Sequence, residues 1–112
     1  MTLLLAFSVR SATIQCGGMV EKVGFHSPDK LMLKLSSMNR AVYICSPEYK
    51  WTVSGTSYST GPKMCQTMMS MLMHAKATRS DMGSIWFDGD DVPENCESWG
   101  AMKKANIRYF AY

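Results

Sequence analysis

The sequence predicts a mainly β domain with a single helix, its elements in the order β-β-β-α-β-β. Two observations carry that expectation. Short segments in both halves of the chain alternate apolar and polar residues with a period of two, the pattern of half-buried strands. Between them, one methionine-rich stretch shifts to helical spacing. The chain has 112 residues, about the length of one domain.

Residues 13–23 (TIQCGGMVEKV) read as a strand interrupted by Gly17-Gly18. A glycine pair inside a strand pattern marks a bulge or a sharp bend. Residues 24–29 (GFHSPD) have the composition of a turn. Residues 30–35 (KLMLKL) alternate cleanly, with Leu31, Leu33 and Leu35 toward a core and Lys30 and Lys34 toward water. A turn at 36–40 leads into AVYIC at 41–45, with Val42 and Ile44 expected inward. Residues 46–62 form a long connection rich in Ser, Thr, Gly and Tyr, with a short extended piece at 50–53. So long a loop in a small domain is often functional.

Gly61-Pro62 then opens a helix over 63–78, since Pro fits the first helical turn. Gln66, Thr67, Ser70 and His74 gather on one narrow stripe. Met64, Cys65, Met68, Met69, Met71, Leu72 and Ala75 cover the rest, more apolar surface than one small sheet can hide. Residues 80–83 close the helix. SIWFD at 84–88 is a strand with Ile85 and Phe87 inward and Trp86 outward. Residues 89–100 are an acidic loop, and ANIRYFAY at 105–112 is the last strand.

Composition narrows the function classes. A hydrophobic share of 46% and a charged share of 19% exclude a disordered chain. The net charge of +3 is too mild to announce a nucleic-acid or membrane partner. No apolar run approaches the roughly 18 residues of a membrane span. The opening MTLLLAFSVRSA has an apolar core (Leu3, Leu4, Leu5, Ala6, Phe7) followed by small residues. It reads as a signal-peptide remnant over residues 1–12, which leaves 13–112 as one domain. Cys16, Cys45, Cys65 and Cys96 contain no CxxC pair, which argues against zinc. An even count in a small chain argues for two disulfides and a secreted or periplasmic location.

Five strands with a helix between the third and fourth is the order of the OB-fold, a partly open Greek-key barrel. A Gly-Gly bend suits a first strand that must contact both halves of such a barrel. Cysteine spacing alone allows three pairings. The strand order favours Cys16–Cys96, because the first and fourth strands run antiparallel. It also favours Cys45–Cys65, which would close the long loop.

The stretch KMCQTMMSMLMHAKATRSDMGSIWFDGDD, the loop bearing Cys96 and Trp99, and the closing ANIRYF together resemble small secreted bacterial OB-fold proteins. These are similar in layout to the B subunits of AB5 toxins. The resemblance covers 13–112 in order of elements and is specific only from the helix to the Cys96 loop. It implies a homo-oligomer, a pentamer with helices around a pore, and glycan sites on an outer face. No toxin-specific glycan motif carries over, and the 46–62 loop and the methionines of the helix depart from the toxin subunits.

Catalytic and metal constellations are weak. His26 and His74 are separated by a turn and a helix, and no GxSxG motif accompanies them. Asp88, Asp90, Asp91, Glu94 and Glu97 fail the EF-hand spacing, which would need Glu where Trp99 stands, so a solvated turn is the expectation. Met68, Met69, Met71, Met73 and His74 offer soft-metal donors, but core or subunit interface is the commoner use of such a stripe. No enzyme activity, metal or cofactor is therefore expected. Aromatics are more telling. Tyr49, Trp51, Tyr58, Trp86 and Trp99 have two readings: surface platforms beside Asp88, Asp90 and Arg108 that stack on sugars or single-stranded nucleic acid, or rings packed beneath the long loops. The expected function is that of an exported, oligomeric, non-catalytic binding protein for a glycan or protein ligand. The alternative is a nucleic-acid-binding OB module using Lys30, Lys34 and Tyr43.

Overall fold

The computed structural model describes residues 12–111. The expected signal remnant therefore lies outside the described residues, except for Ala12, which begins the first strand. The elements are β1 (Ala12–Cys16), β2 (Val20–His26), β3 (Lys30–Leu35), β4 (Val42–Cys45), β5 (Trp51–Thr52), β6 (Ser59–Thr60), α1 (Pro62–Thr78), β7 (Ser84–Gly89) and β8 (Asn106–Ala111). They form three small antiparallel sheets, ordered β1-β7-β8, β2-β3-β4 and β5-β6. The class is mainly β with one helix, and the described strands do not pair into a closed barrel.

Two differences from the expected strand list have clear causes. The first expected strand divides into β1 and β2 at Gly17-Gly18. A β-carbon on Gly17 would lie 2.0 Å from the Gly83 carbonyl oxygen. Gly18 has φ +103°, and a β-carbon there would lie 2.1 Å from Ser36 Oγ. Only glycines can occupy this crossing, where the backbone passes from one sheet to the other. Its neighbours hold it by hydrogen bonds from Met82 N to Gly18 O and from Ser36 N to Met19 O, both 2.8 Å. Second, the expected turn at 24–29 shrinks to 27–29. Phe25 and His26 pair with Leu31 and Lys30, so cross-strand pairing overrides turn composition.

A second seam joins the sheets. Tyr43 N donates to Lys103 O and Ala105 N donates to Tyr43 O, each at 3.0 Å. This parallel bridge ties β4 to the chain entering β8. The core between the sheets holds Leu31, Leu33, Leu35, Val42, Ile44, Ile85 and Phe87, all at most 1% exposed. Tyr43, expected to face outward, is buried too, with His26 edge-on to its ring at 5.4 Å.

The helix begins at Pro62 after Gly61 and ends where Arg79 turns left-handed, φ 53°. It packs on β2. Cys65, Met68, Leu72 and Ala75 form its buried line, at helical spacing. Met69 and Met71 are half-buried, whereas Met64 and Met73 are 57% and 55% exposed. Of the methionines read as core or interface, Met68 alone is fully in the core.

Both disulfides pair as the strand order favours. Cys16 bonds Cys96 across 80 residues, and Cys45 bonds Cys65 across 20. The first ties the end of β1 to the acidic loop, and the second ties β4 to the first turn of α1. In the chain-entropy account these closures contribute about 4.5 and about 3 kcal/mol respectively. Replacing Cys16 and Cys96 by Ser should therefore cost more stability than replacing Cys45 and Cys65. Equilibrium urea unfolding of the two double variants checks the order.

Candidate functional site

The sheet β1-β7-β8 sends Ile85 and Phe87 into the core and turns Ser84, Trp86 and Asp88 to its other face. Register places Thr13 opposite Asp88, and both Gln15 and Tyr109 opposite Trp86, so all share that outer face. Between β7 and β8 the register slips. Tyr109 faces Trp86 and Ile107 faces Phe87, which leaves Arg108 as the extra residue of a β-bulge. A bulge re-aims the side chain it frees.

Here it turns Arg108 onto Asp88, a residue only 3% exposed. Arg108 Nε donates to Oδ2 at 2.8 Å and Nη2 to Oδ1 at 3.0 Å, a two-point pair. Thr13 Oγ1 donates to Oδ1 at 2.5 Å and accepts from Arg108 Nη2 at 3.1 Å. The Tyr58 hydroxyl donates to Oδ2 at 2.7 Å. Two strands and a loop thus supply all the donors to one carboxylate on a third strand.

Tyr58 reaches the sheet because the 46–62 loop folds back over it. The short β5–β6 pair closes the loop, and fully buried Asn106 anchors it. Thr60 Oγ1 donates to Asn106 Oδ1 at 2.6 Å, and Asn106 Nδ2 donates to Tyr58 O at 2.9 Å and to Thr56 Oγ1 at 3.3 Å. A buried amide with partners on both ends fixes a segment that would otherwise have no ladder to join.

Charge at the cluster follows from these contacts. Burial by itself pushes the Asp88 carboxyl up. The hydrogen bonds from Thr13, Tyr58 and Arg108 and the Arg108 charge outweigh it, so the net shift is down and Asp88 stays ionised. Burial, then the hydrogen bond to Asp88 and its charge, push the Tyr58 hydroxyl well above the usual phenol range. Four donors occupy the carboxylate, which makes it a structural anion rather than a proton carrier.

The outer edge of the cluster is open. Arg108 uses its Nε and Nη2 edge on Asp88, which leaves Nη1 outside that pair, and the side chain is 51% exposed. The guanidinium carbon lies 5.7 Å from the Trp86 ring centre. Trp86, Arg108 and Tyr109 line a shallow hollow of about 290 Å³. Tyr109 is 58% exposed. A smaller hollow of about 70 Å³ adjoins Arg108, lined by Gly55, Thr56, Ser57, Tyr58 and Asp88.

The structure redistributes the residues read as ligand contacts. Trp86, Tyr58, Asp88 and Arg108 come together. Trp51 and Trp99 do not: they are 1% and 2% exposed, so neither is a surface platform. Trp51 donates its indole N–H to Ala105 O at 3.0 Å and pins the chain entering β8. Trp99 packs edge-on against Phe87 at 5.4 Å, and Asn39 holds its backbone from both sides at 2.8 and 2.9 Å. Both rings are large enough to fill the space beneath a long loop. Asp88 is not part of a solvated turn, unlike the exposed Asp90, Asp91, Glu94 and Glu97. Asp90 stands apart, in a hollow with Thr52, Asp91 and Lys104. Among the described residues no three His, Cys, Asp or Glu side chains cluster as a metal site would require. Thr13 and Tyr109 were missed, because only the register reveals that they share a face with Trp86.

The lowered Asp88 pKa has a sign. Its stabilisation is complete above the unfolded carboxyl value of about 3.9 and is lost as pH falls through the lower folded value. Thermal melts taken downward from about pH 5 should show wild type losing stability through this window. Asp88→Asn should start lower and lose less.

Compared with protein-family models, with curated proteins and with solved structures, the chain matches none.

Proposed function

We propose that this chain is an exported, non-catalytic binding protein that holds a glycan against Trp86, Tyr109 and Arg108. The observation that carries the reading is a half-exposed guanidinium, fixed by a buried carboxylate, beside two aromatic rings in an open hollow. Sugar recognition needs a flat apolar face for the ring's C–H groups and pre-oriented donors for its hydroxyls. Both are present, and the bulge and Tyr58 hold the donor in place before any ligand arrives, which lowers the entropy cost of binding. With Asp88 fully hydrogen-bonded, no carboxyl at the site is positioned to move a proton, which favours binding over hydrolysis.

Two disulfides suit an oxidising compartment, and no described helix is long and apolar enough to cross a membrane. The OB-fold reading draws support from the connectivity. β1 and β2 act as one bent strand shared by two sheets, the helix falls between β4 and β7, and the parallel bridge at Tyr43 and Lys104 links the sheets on the far side. Self-association draws support from the helix. Exposed Phe25 and Met73 flank a groove of about 590 Å³ between β2 and α1, lined also by Val23, Leu31 and Met69. An exposed methionine and an exposed phenylalanine on either side of one apolar groove suit an interface between copies.

A glycan array is the direct test. Wild type should retain glycans, and Trp86→Ala or Tyr109→Ala should each weaken retention by about tenfold or more while melting normally. Retention unchanged in both variants, or a shift of single-stranded DNA instead, refutes the reading. Sedimentation should show an assembly that Met73→Glu shifts toward monomer; a wild-type monomer at high concentration refutes the interface.

A further inference from the structure

We propose that the site prefers neutral, hydroxyl-bearing glycans to glycans that carry a carboxylate or sulfate, an inference that rests on the glycan reading above. A lone exposed arginine beside aromatic rings would ordinarily suit an anion. This arginine is not alone. Its charge is neutralised at 2.8 and 3.0 Å by Asp88, which is buried and therefore weakly screened.

Among the described residues, no second cation lines these hollows. The aromatic hollow holds Trp86, Arg108 and Tyr109, and the small hollow holds one acid and one base, Asp88 and Arg108. The adjoining groove toward α1 adds Tyr58, Met64, Met68 and Phe110 but no second charge. An anion entering here would lose its hydration and find a neutral pair.

The hydrogen-bond valences point the same way. Tyr58 spends its only proton on Asp88, so its oxygen offers lone pairs alone. Arg108, which lines the same hollow, carries only N–H donors. The small hollow of about 70 Å³ therefore presents donors and acceptors together, with a carboxylate in its wall. A hydroxyl both donates and accepts and satisfies such a pocket. A carboxylate or sulfate only accepts and meets the Tyr58 lone pairs and the Asp88 charge. We therefore place a sugar hydroxyl in the small hollow and its ring over Trp86.

The test pairs each glycan that wild type binds with the same glycan carrying one acidic group on the terminal ring. Affinities are measured by biolayer interferometry at low and high salt. The neutral member should bind about tenfold more tightly, and its affinity should change little with salt. Equal or tighter binding of the acidic member overturns the preference while leaving the glycan reading intact. Failure to bind any glycan overturns the reading itself. Asp88→Asn removes the compensating charge and should move the ratio about tenfold toward the acidic member; a folded variant with an unchanged ratio also overturns the proposal. If that variant does not fold, the wild-type pairs decide alone.

Discussion

A carboxylate taken out of water at the meeting point of three strands is the constraint around which this molecule is arranged. Asp88 can remain ionised there only because Thr13, Tyr58 and Arg108 all reach it. Each donor imposes a structural demand. Thr13 needs β1 in register with β7. Arg108 needs the bulge in β8. Tyr58 needs the 46–62 loop folded back over the sheet. Removing any one partner leaves part of a buried charge unsatisfied, so the network links the order of a loop to the register of a sheet. It also fixes a guanidinium that lines the aromatic hollow beside Trp86.

The surrounding frame keeps these parts in place by different means. Gly17 and Gly18 allow the chain to turn between sheets at a point too crowded for any side chain. The disulfides tie β1 to the acidic loop and β4 to the helix. The core supplies the bulk of the apolar burial, and Trp51 and Trp99 extend it beneath the two long loops. Beyond the two-residue β5–β6 ladder, those loops are consequently ordered by large buried rings and by Asn39 and Asn106.

The two tryptophans show why an aromatic in a loop sequence is ambiguous. Trp51, Trp86 and Trp99 all lie in or beside polar, turn-rich segments. Hydrophobic periodicity says nothing about a ring in an irregular segment, because no repeating face exists there. Whether such a ring points out to a ligand or in to a void is decided by how far the loop stands from the core. Trp86 stays partly exposed because strand alternation fixes its direction, with Ile85 and Phe87 opposed. Asp88 illustrates the same limit for charge. It obeys the alternation and faces outward, yet the loop above it closes the site over.

What the sequence by itself determined are the features that depend on local pattern: the strand KLMLKL, the helix following Gly61, the inward Ile85 and Phe87, and a bend at Gly17-Gly18. Element order then brought each cysteine near its partner, because antiparallel neighbours constrain which chain ends can meet. Tertiary structure alone decided the rest. The bulge at Arg108, the burial of Asp88, the capture of Tyr58 and the sharing of one face by Thr13, Trp86 and Tyr109 all depend on register between segments far apart in sequence. A register shift of one residue reverses every side chain on a strand, and nothing local to either strand encodes which register wins. It is set by the joint satisfaction of a buried charge and a buried core, which exist only once the chain has folded.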